Sequence, residues 1–170
     1  MESKEIRKKA YGHFESGLHC AEVISKTILE MFSGEPHPAV IRSASGFGGG
    51  IGGSNEELCG AFTGGVVALG YLLGRENGGD SLKSCGSLIR EFKIKFLNEF
   101  GSLDCQTLLN GFKEQQNPLG CAKLTAQTTV ILADLLNEFG LKDAVDASVF
   151  SSQPRPKVEL GSCPFSARSC

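Results

Sequence analysis

Gly46-Phe47-Gly48-Gly49-Gly50-Ile51-Gly52-Gly53-Ser54-Asn55-Glu56-Glu57-Leu58-Cys59-Gly60-Ala61-Phe62-Thr63-Gly64 reads as a glycine loop running into a helix. Six of its first eight residues are glycine, too many for a regular element. Ser54 and Glu57 have the S-x-x-E spacing of a capping box, which predicts a helix from about Asn55 to Leu73 with Cys59 in its first turn or so. The interior of that helix is small: Gly60, Ala61, Gly64, Gly65, Ala68 and Gly70. Such residues weaken helix propensity but let neighbouring backbones approach closely. A helix of this kind suits the enclosed centre of a bundle, or close packing between subunits of a homo-oligomer.

Outward from that segment the apolar spacing is helical and no alternation marks a sheet. Helix one is expected over Lys4–Glu15, with Ile6, Ala10 and Phe14 on one face and Gly17 as its stop. Helix two covers His19–Phe32, with Cys20, Ile24, Ile28 and Met31 inward. A shorter helix follows Pro36 and ends before Gly46. Asp80 or Ser81 caps helix five, whose face is Leu82, Cys85, Leu88, Ile89, Phe92, Phe96 and Phe100 before the C′ glycine Gly101. Ser102 or Asp104 caps a segment from Cys105 to Phe112. The last long helix runs from about Gly120 to Phe139, with Cys121, Leu124, Thr128, Ile131, Leu135 and Phe139 inward and Gly140 ending it. The expectation is an all-α domain of six to seven helices over residues 1–145. Residues 146–170, with three prolines and two cysteines, read as an extended tail.

The bulk numbers exclude several function classes. The net charge of −2 leaves no electrostatic footprint for nucleic acid. The longest apolar run, Gly64–Gly74, has 11 residues, against about 20 for a membrane helix. The polar Met1-Glu2-Ser3-Lys4-Glu5 start carries no secretory signal, so a cytoplasmic protein without membrane insertion is expected. A GxGxxG match at Gly48, Gly50 and Gly53 lacks the βαβ unit that dinucleotide binding requires. No GKS or GKT follows it, so a phosphate-binding P-loop is excluded. No Ser/His/Asp or paired-carboxylate set supports hydrolysis.

Sulfur is what remains. The chain has seven cysteines, and Cys20, Cys59, Cys105 and Cys121 fall where helices are expected to begin. Helix starts offer unpaired N–H groups and a partial positive charge, both of which favour thiolate over thiol. The four are separated by 39, 46 and 16 residues, so no local C-x-x-C or zinc-ribbon spacing exists and any common site is tertiary. Two chemistries stay open as near equals. Cys20, Cys59, Cys105 and Cys121 are candidate ligands for an Fe–S cluster or another thiolate-bound metal, and equally candidate redox thiols of a disulfide couple. A metal-storing module without catalysis, or cysteines that merely pack, are the alternatives. The glycine loop would present backbone N–H groups to the sulfurs, which makes Gly48, Gly49, Gly50 and Gly60 the expected cofactor-binding positions. His19, beside Cys20, is read as a surface residue, as are His13 and His37. Cys85 reads as core, and Cys163 and Cys170 as tail thiols.

Cys59-Gly60-Ala61-Phe62-Thr63-Gly64 also resembles the CGAxxG signature of the redox-active family named after its C…GCAxxG…C…C cysteine pattern. The similarity takes in Gly17-Leu18-His19-Cys20-Ala21, Phe47-Gly48-Gly49-Gly50, Gly101-Ser102-Leu103-Asp104-Cys105 and Cys121, over about residues 5–140. The resemblance implies a small helical domain with the same four signature cysteines. It also implies a redox role, as oxidoreductase or electron carrier, with a partner protein or a metal ion. His19, Glu22 and the three further cysteines depart from the pattern.

Overall fold

A computed structural model describes residues 1–34, 36–112 and 117–141. The expected tail, with Cys163 and Cys170, lies outside the described residues. Among them there are seven α-helices and no strand: α1 Ser3–Glu15, α2 Cys20–Phe32, α3 Pro38–Ser45, α4 Gly60–Leu73, α5 Lys83–Phe100, α6 Cys105–Asn110 and α7 Asn117–Glu138. A single 3-10 turn, Ile51–Gly53, interrupts the glycine loop.

α4 holds the middle because its glycines let the neighbouring helices come close to its backbone. A methyl group at Gly64 would collide with the Ala21 carbonyl oxygen and stand 2.6 Å from the Ala21 Cα, so α2 lies directly on this face. At Gly65 the same methyl would stand 2.7 Å from Cζ of Phe92 on α5 and 3.1 Å from Leu132 on α7. The buried Ser25 hydroxyl donates to the Gly64 carbonyl at 2.8 Å, tying α2 to α4. Gly60, Gly64 and Gly65 are thus covered within the chain, while Gly70 is exposed. Phe62 of α4 stacks on Phe92 with ring centroids 5.3 Å apart and meets Phe96 edge-on at 5.6 Å. This aromatic group, with Ile24, Ile28, Leu69 and Leu136, forms the core.

α7 packs against α1, α2, α4 and α5. By length and hydropathy it resembles a membrane span, but 67% of its most apolar window is buried inside the fold. Its apolar residues therefore already have partners.

Several expected boundaries move. The Ser54/Glu57 capping box does not form. Asn55 and Glu57 both take left-handed backbone (φ 61° each), and Ser54 Oγ instead accepts the Glu56 N–H at 3.1 Å. α4 begins at Gly60, with Cys59 as its N-cap. The physical reason is tertiary. The Cys59 N–H donates to the Leu103 carbonyl at 2.7 Å and the Cys105 N–H to the Glu57 carbonyl at 2.8 Å, so residues 57–59 are committed to a short antiparallel bridge. α7 begins at Asn117, before the predicted start, which puts Cys121 in its second turn and not at its start. Leu82 is the N-cap of α5 and is 46% exposed, not part of the inward face. His13 is partly buried and bonds Glu30 at 3.0 Å, whereas His37 is exposed as the N-cap of α3.

Candidate functional site

The bridge between residues 57–59 and 103–105 sets the start of α6 beside the cap of α4, and with them Cys105 and Cys59. Asp104 secures α6 by accepting the Thr107 N–H at 2.7 Å. Cys20 opens α2, held there by the N-terminal turn in which the His19 N–H donates to Glu22 Oε2 at 2.8 Å. Glu22 Oε1 in turn accepts from Ser45 Oγ at 2.6 Å, anchoring the entry to the glycine loop. α7 then crosses with Cys121.

The result is one small cavity of about 40 Å³ lined by Cys20, Cys59, Cys105 and Cys121. Leu108, Leu109, Phe112 and Leu124 make most of the rest of its wall; Gly49, Asn55 and Thr125 complete it. The four cysteines far apart in sequence therefore share one space, and Cys85 does not. Cys85 is 3% exposed and packs between α5 and α4. His19 is exposed and lies outside the cavity lining.

The glycines of the site differ in what they allow. Gly49 lines the cavity beside Cys20, and its amide works against the upward push of burial on that thiol. Gly48 lets the loop pass over His19, whose Cβ would stand 2.8 Å from an added methyl. Gly50 combines left-handed backbone (φ 74°) with contact against Glu56. Gly60 is the tightest position: a methyl there would overlap the Cys20 sulfur and stand 2.6 Å from the Phe47 carbonyl oxygen. Its missing side chain is what allows Cys20 to approach the α4 cap.

Helix starts alone would favour thiolates, but here burial wins. Burial pushes the Cys59 thiol up to about 12, helped by the charge of Cys20; the amides of Ala61 and Phe62 oppose this without closing a cap hydrogen bond. Cys121 is pushed up to about 11 by burial, then by Cys20 and Cys105. Burial also raises Cys20 and Cys105. Removing a charge from water costs more than a partial helix charge returns. The couplings have a direction. Cys20 raises the other three thiols, while the amides of Gly49, Ala21 and Cys20 itself partly offset the burial that raises its own.

A single bound metal ion would need sulfurs converging on one centre, with metal–sulfur bonds of about 2.3 Å for zinc. Among the described residues no three His, Cys, Asp or Glu side chains are grouped to hold a metal ion. The four cavity cysteines are free of disulfides.

Two lining residues, Asn55 and Thr125, do not stand out in the sequence. The local pattern places Asn55 in a helix that does not exist there. Thr125 carries one signal, its place four residues after Cys121 on the same helical face. No curated protein and no solved structure matches the chain. A model of the family described as "Putative redox-active protein (C_GCAxxG_C_C)" matches residues 18–135, a span that holds all four cavity cysteines and most of the chain. The chain therefore belongs to the C_GCAxxG_C_C family of redox-active proteins.

Proposed function

We propose that Cys20, Cys59, Cys105 and Cys121 form one two-electron redox centre that works by thiol–disulfide exchange, making the protein an oxidoreductase or carrier of reducing equivalents in the cytoplasm. The observation that carries this reading is the shared cavity: four thiols from four helices meet in a space with few other polar groups. Cys20 is the attacking thiol. It is partly exposed, and the amides of Gly49, Ala21 and Cys20 itself work against the burial that raises its thiol.

The oxidant is a disulfide, either on a partner protein or in a small thiol compound. Cys20 thiolate attacks one of its sulfurs, forming a mixed disulfide and releasing the first thiol. A second cavity cysteine then attacks the Cys20 sulfur, closing an internal disulfide and releasing the second thiol. Two cysteine thiols are oxidised, one external disulfide is reduced, and the two protons end on the released thiols. Gly49 and Gly60 serve this chemistry by letting the loop and the α4 cap close on Cys20.

Anaerobic purification tests the reading, with visible spectroscopy, metal and sulfide analysis, and thiol counting across a series of glutathione ratios. The expected protein is colourless and metal-free and loses two thiols reversibly. Brown protein with iron and acid-labile sulfide would replace exchange with a cluster. Stoichiometric zinc or copper would make it a metal-binding module, and inert thiols would leave only packing.

A further inference from the structure

α7 carries three fully buried threonines, Thr125, Thr128 and Thr129. Two of them satisfy their hydroxyls within the helix: Thr128 donates to the Leu124 carbonyl and Thr129 to the Thr125 carbonyl, each at 2.8 Å. Thr27 on α2 does the same with Val23 at 2.7 Å. This return to the carbonyl four residues back is the usual refuge of a buried hydroxyl in a helix. Thr125 departs from it. Its Oγ1 is buried with no hydrogen-bond partner among the described residues, and Thr125 lines the cysteine cavity.

An unpartnered buried hydroxyl is costly, and a small polar ligand is the ordinary remedy. The cavity of about 40 Å³ exceeds the roughly 10–15 Å³ that one water needs. Thr125, Asn55 and the thiols supply the few polar partners that a buried water requires.

We propose that Thr125 holds a water molecule in this cavity and that the water carries the proton of the second cysteine during closure of the internal disulfide. The inference rests on the exchange reading above. In that step the second thiol forms a bond to the Cys20 sulfur, and the bond from Cys20 to the oxidant's sulfur breaks. The proton passes from the attacking thiol through the water to the departing thiolate, so the step is balanced without a further base. The nearby carboxylates are engaged elsewhere: Glu22 accepts from the His19 N–H and the Ser45 hydroxyl, and Asp104 accepts from the Thr107 N–H and hydroxyl. Thr125 is a positioning residue, acting through the water.

The test compares Thr125→Val, which keeps the shape and removes the hydroxyl, with Thr125→Ser, which restores it. Full-length protein is mixed with glutathione disulfide, and conversion of the mixed disulfide at Cys20 to the internal disulfide is followed by acid quench and mass spectrometry across pH. Thr125→Val should slow closure on the order of ten- to a hundredfold near neutrality. The deficit should shrink only at strongly alkaline pH, where the buried resolving thiol ionises by itself and hydroxide takes over. Thr125→Ser should close at nearly the wild-type rate, and the equilibrium disulfide fraction should not change. Closure in Thr125→Val at the wild-type rate at every pH overturns the proposal, as does an equal deficit in Thr125→Ser. A raised melting temperature in Thr125→Val with unaltered kinetics would also overturn it, since it would mark a hydroxyl without any water. If the wild type forms no internal disulfide, the exchange reading itself fails, and that outcome is distinct from the others.

Discussion

Replacing Gly60 with alanine adds one methyl group at the point where α4, the glycine loop and Cys20 meet. The new carbon would overlap the Cys20 sulfur and stand 2.6 Å from the Phe47 carbonyl oxygen. Ordinary contact lies at about 3.5–4.0 Å, so loop and sulfur must each withdraw by roughly 1 Å. The loop cannot do so freely. Gly52 N–H is bonded to the Gly46 carbonyl at 2.8 Å, and Asn55 N–H to the Gly49 carbonyl at 2.7 Å. Overpacking of this type costs about 1–3 kcal/mol, of which the better helix propensity of alanine returns at most about 1 kcal/mol. A net loss of about 1–2 kcal/mol lowers the melting temperature by roughly 2–8 °C in a chain of this size. Gly70→Ala is the control, because Gly70 is exposed in the same helix and an added methyl meets nothing within 4 Å. It should be neutral or stabilising by up to about 1 kcal/mol. The assay is thermal unfolding by circular dichroism, with the rate of internal disulfide formation measured on the same samples. Gly60→Ala should melt lower and react more slowly than Gly70→Ala. A Gly60→Ala protein as stable and as fast as wild type would refute the close approach of Cys20 to the α4 cap.

Three further outcomes follow from the packing and the charges. The cavity thiols are held protonated by burial, so their stabilising effect is intact below the free-thiol value of 9.0. It is lost as pH rises toward about 11 for Cys121 and about 12 for Cys59; urea unfolding of reduced protein should show stability falling between neutral and strongly alkaline pH, and alkylation at neutral pH should be far slower native than unfolded, with Cys20 labelled first. Phe92→Ala removes a fully buried ring that touches Phe62 and Phe96, and should cost about 3–5 kcal/mol by denaturant titration. At Glu30 burial opposes ionisation, but Lys9 at 2.9 Å and His13 at 3.0 Å prevail and hold the carboxyl low. Its contribution is present above the ordinary carboxylate range and lost as pH falls through its folded value, so Glu30→Gln should flatten the acid limb of the stability curve and cost at most about 1 kcal/mol at neutrality.

What the sequence made legible was mostly local. The αL glycine Gly101 (φ 77°) ends α5 where a C′ glycine should, and the face Cys85, Leu88, Phe92 and Phe96 is buried as its spacing predicts. The small residues of α4 announced a central helix for a sound reason, since its neighbours lie against its backbone. The start of α4 was not legible. The Ser54 and Glu57 pattern is a good cap locally, yet bonds to Leu103 and Cys105, more than forty residues away, take that backbone for another purpose. The cysteines show the same division. Cys20 and Cys105 do open helices and Cys59 does cap one, but Cys121 does not, and convergence came from the bridge and the glycine loop. Thiolate character was not legible either, because burial is a tertiary property that overrides the helix end. Thr125 was legible only as a neighbour of Cys121 on one helical face, since an unsatisfied hydroxyl exists only once every neighbour is in place.

The central claim is that the four cavity cysteines are one redox unit, and disulfide mapping after redox titration tests it most directly. Protein equilibrated with glutathione mixtures, acid-trapped, alkylated and digested should show one reversible internal disulfide joining two of Cys20, Cys59, Cys105 and Cys121. Cys20→Ser should abolish its formation. A disulfide confined to Cys85, Cys163 or Cys170, or four cavity thiols that stay reduced at every glutathione ratio, would contradict the account.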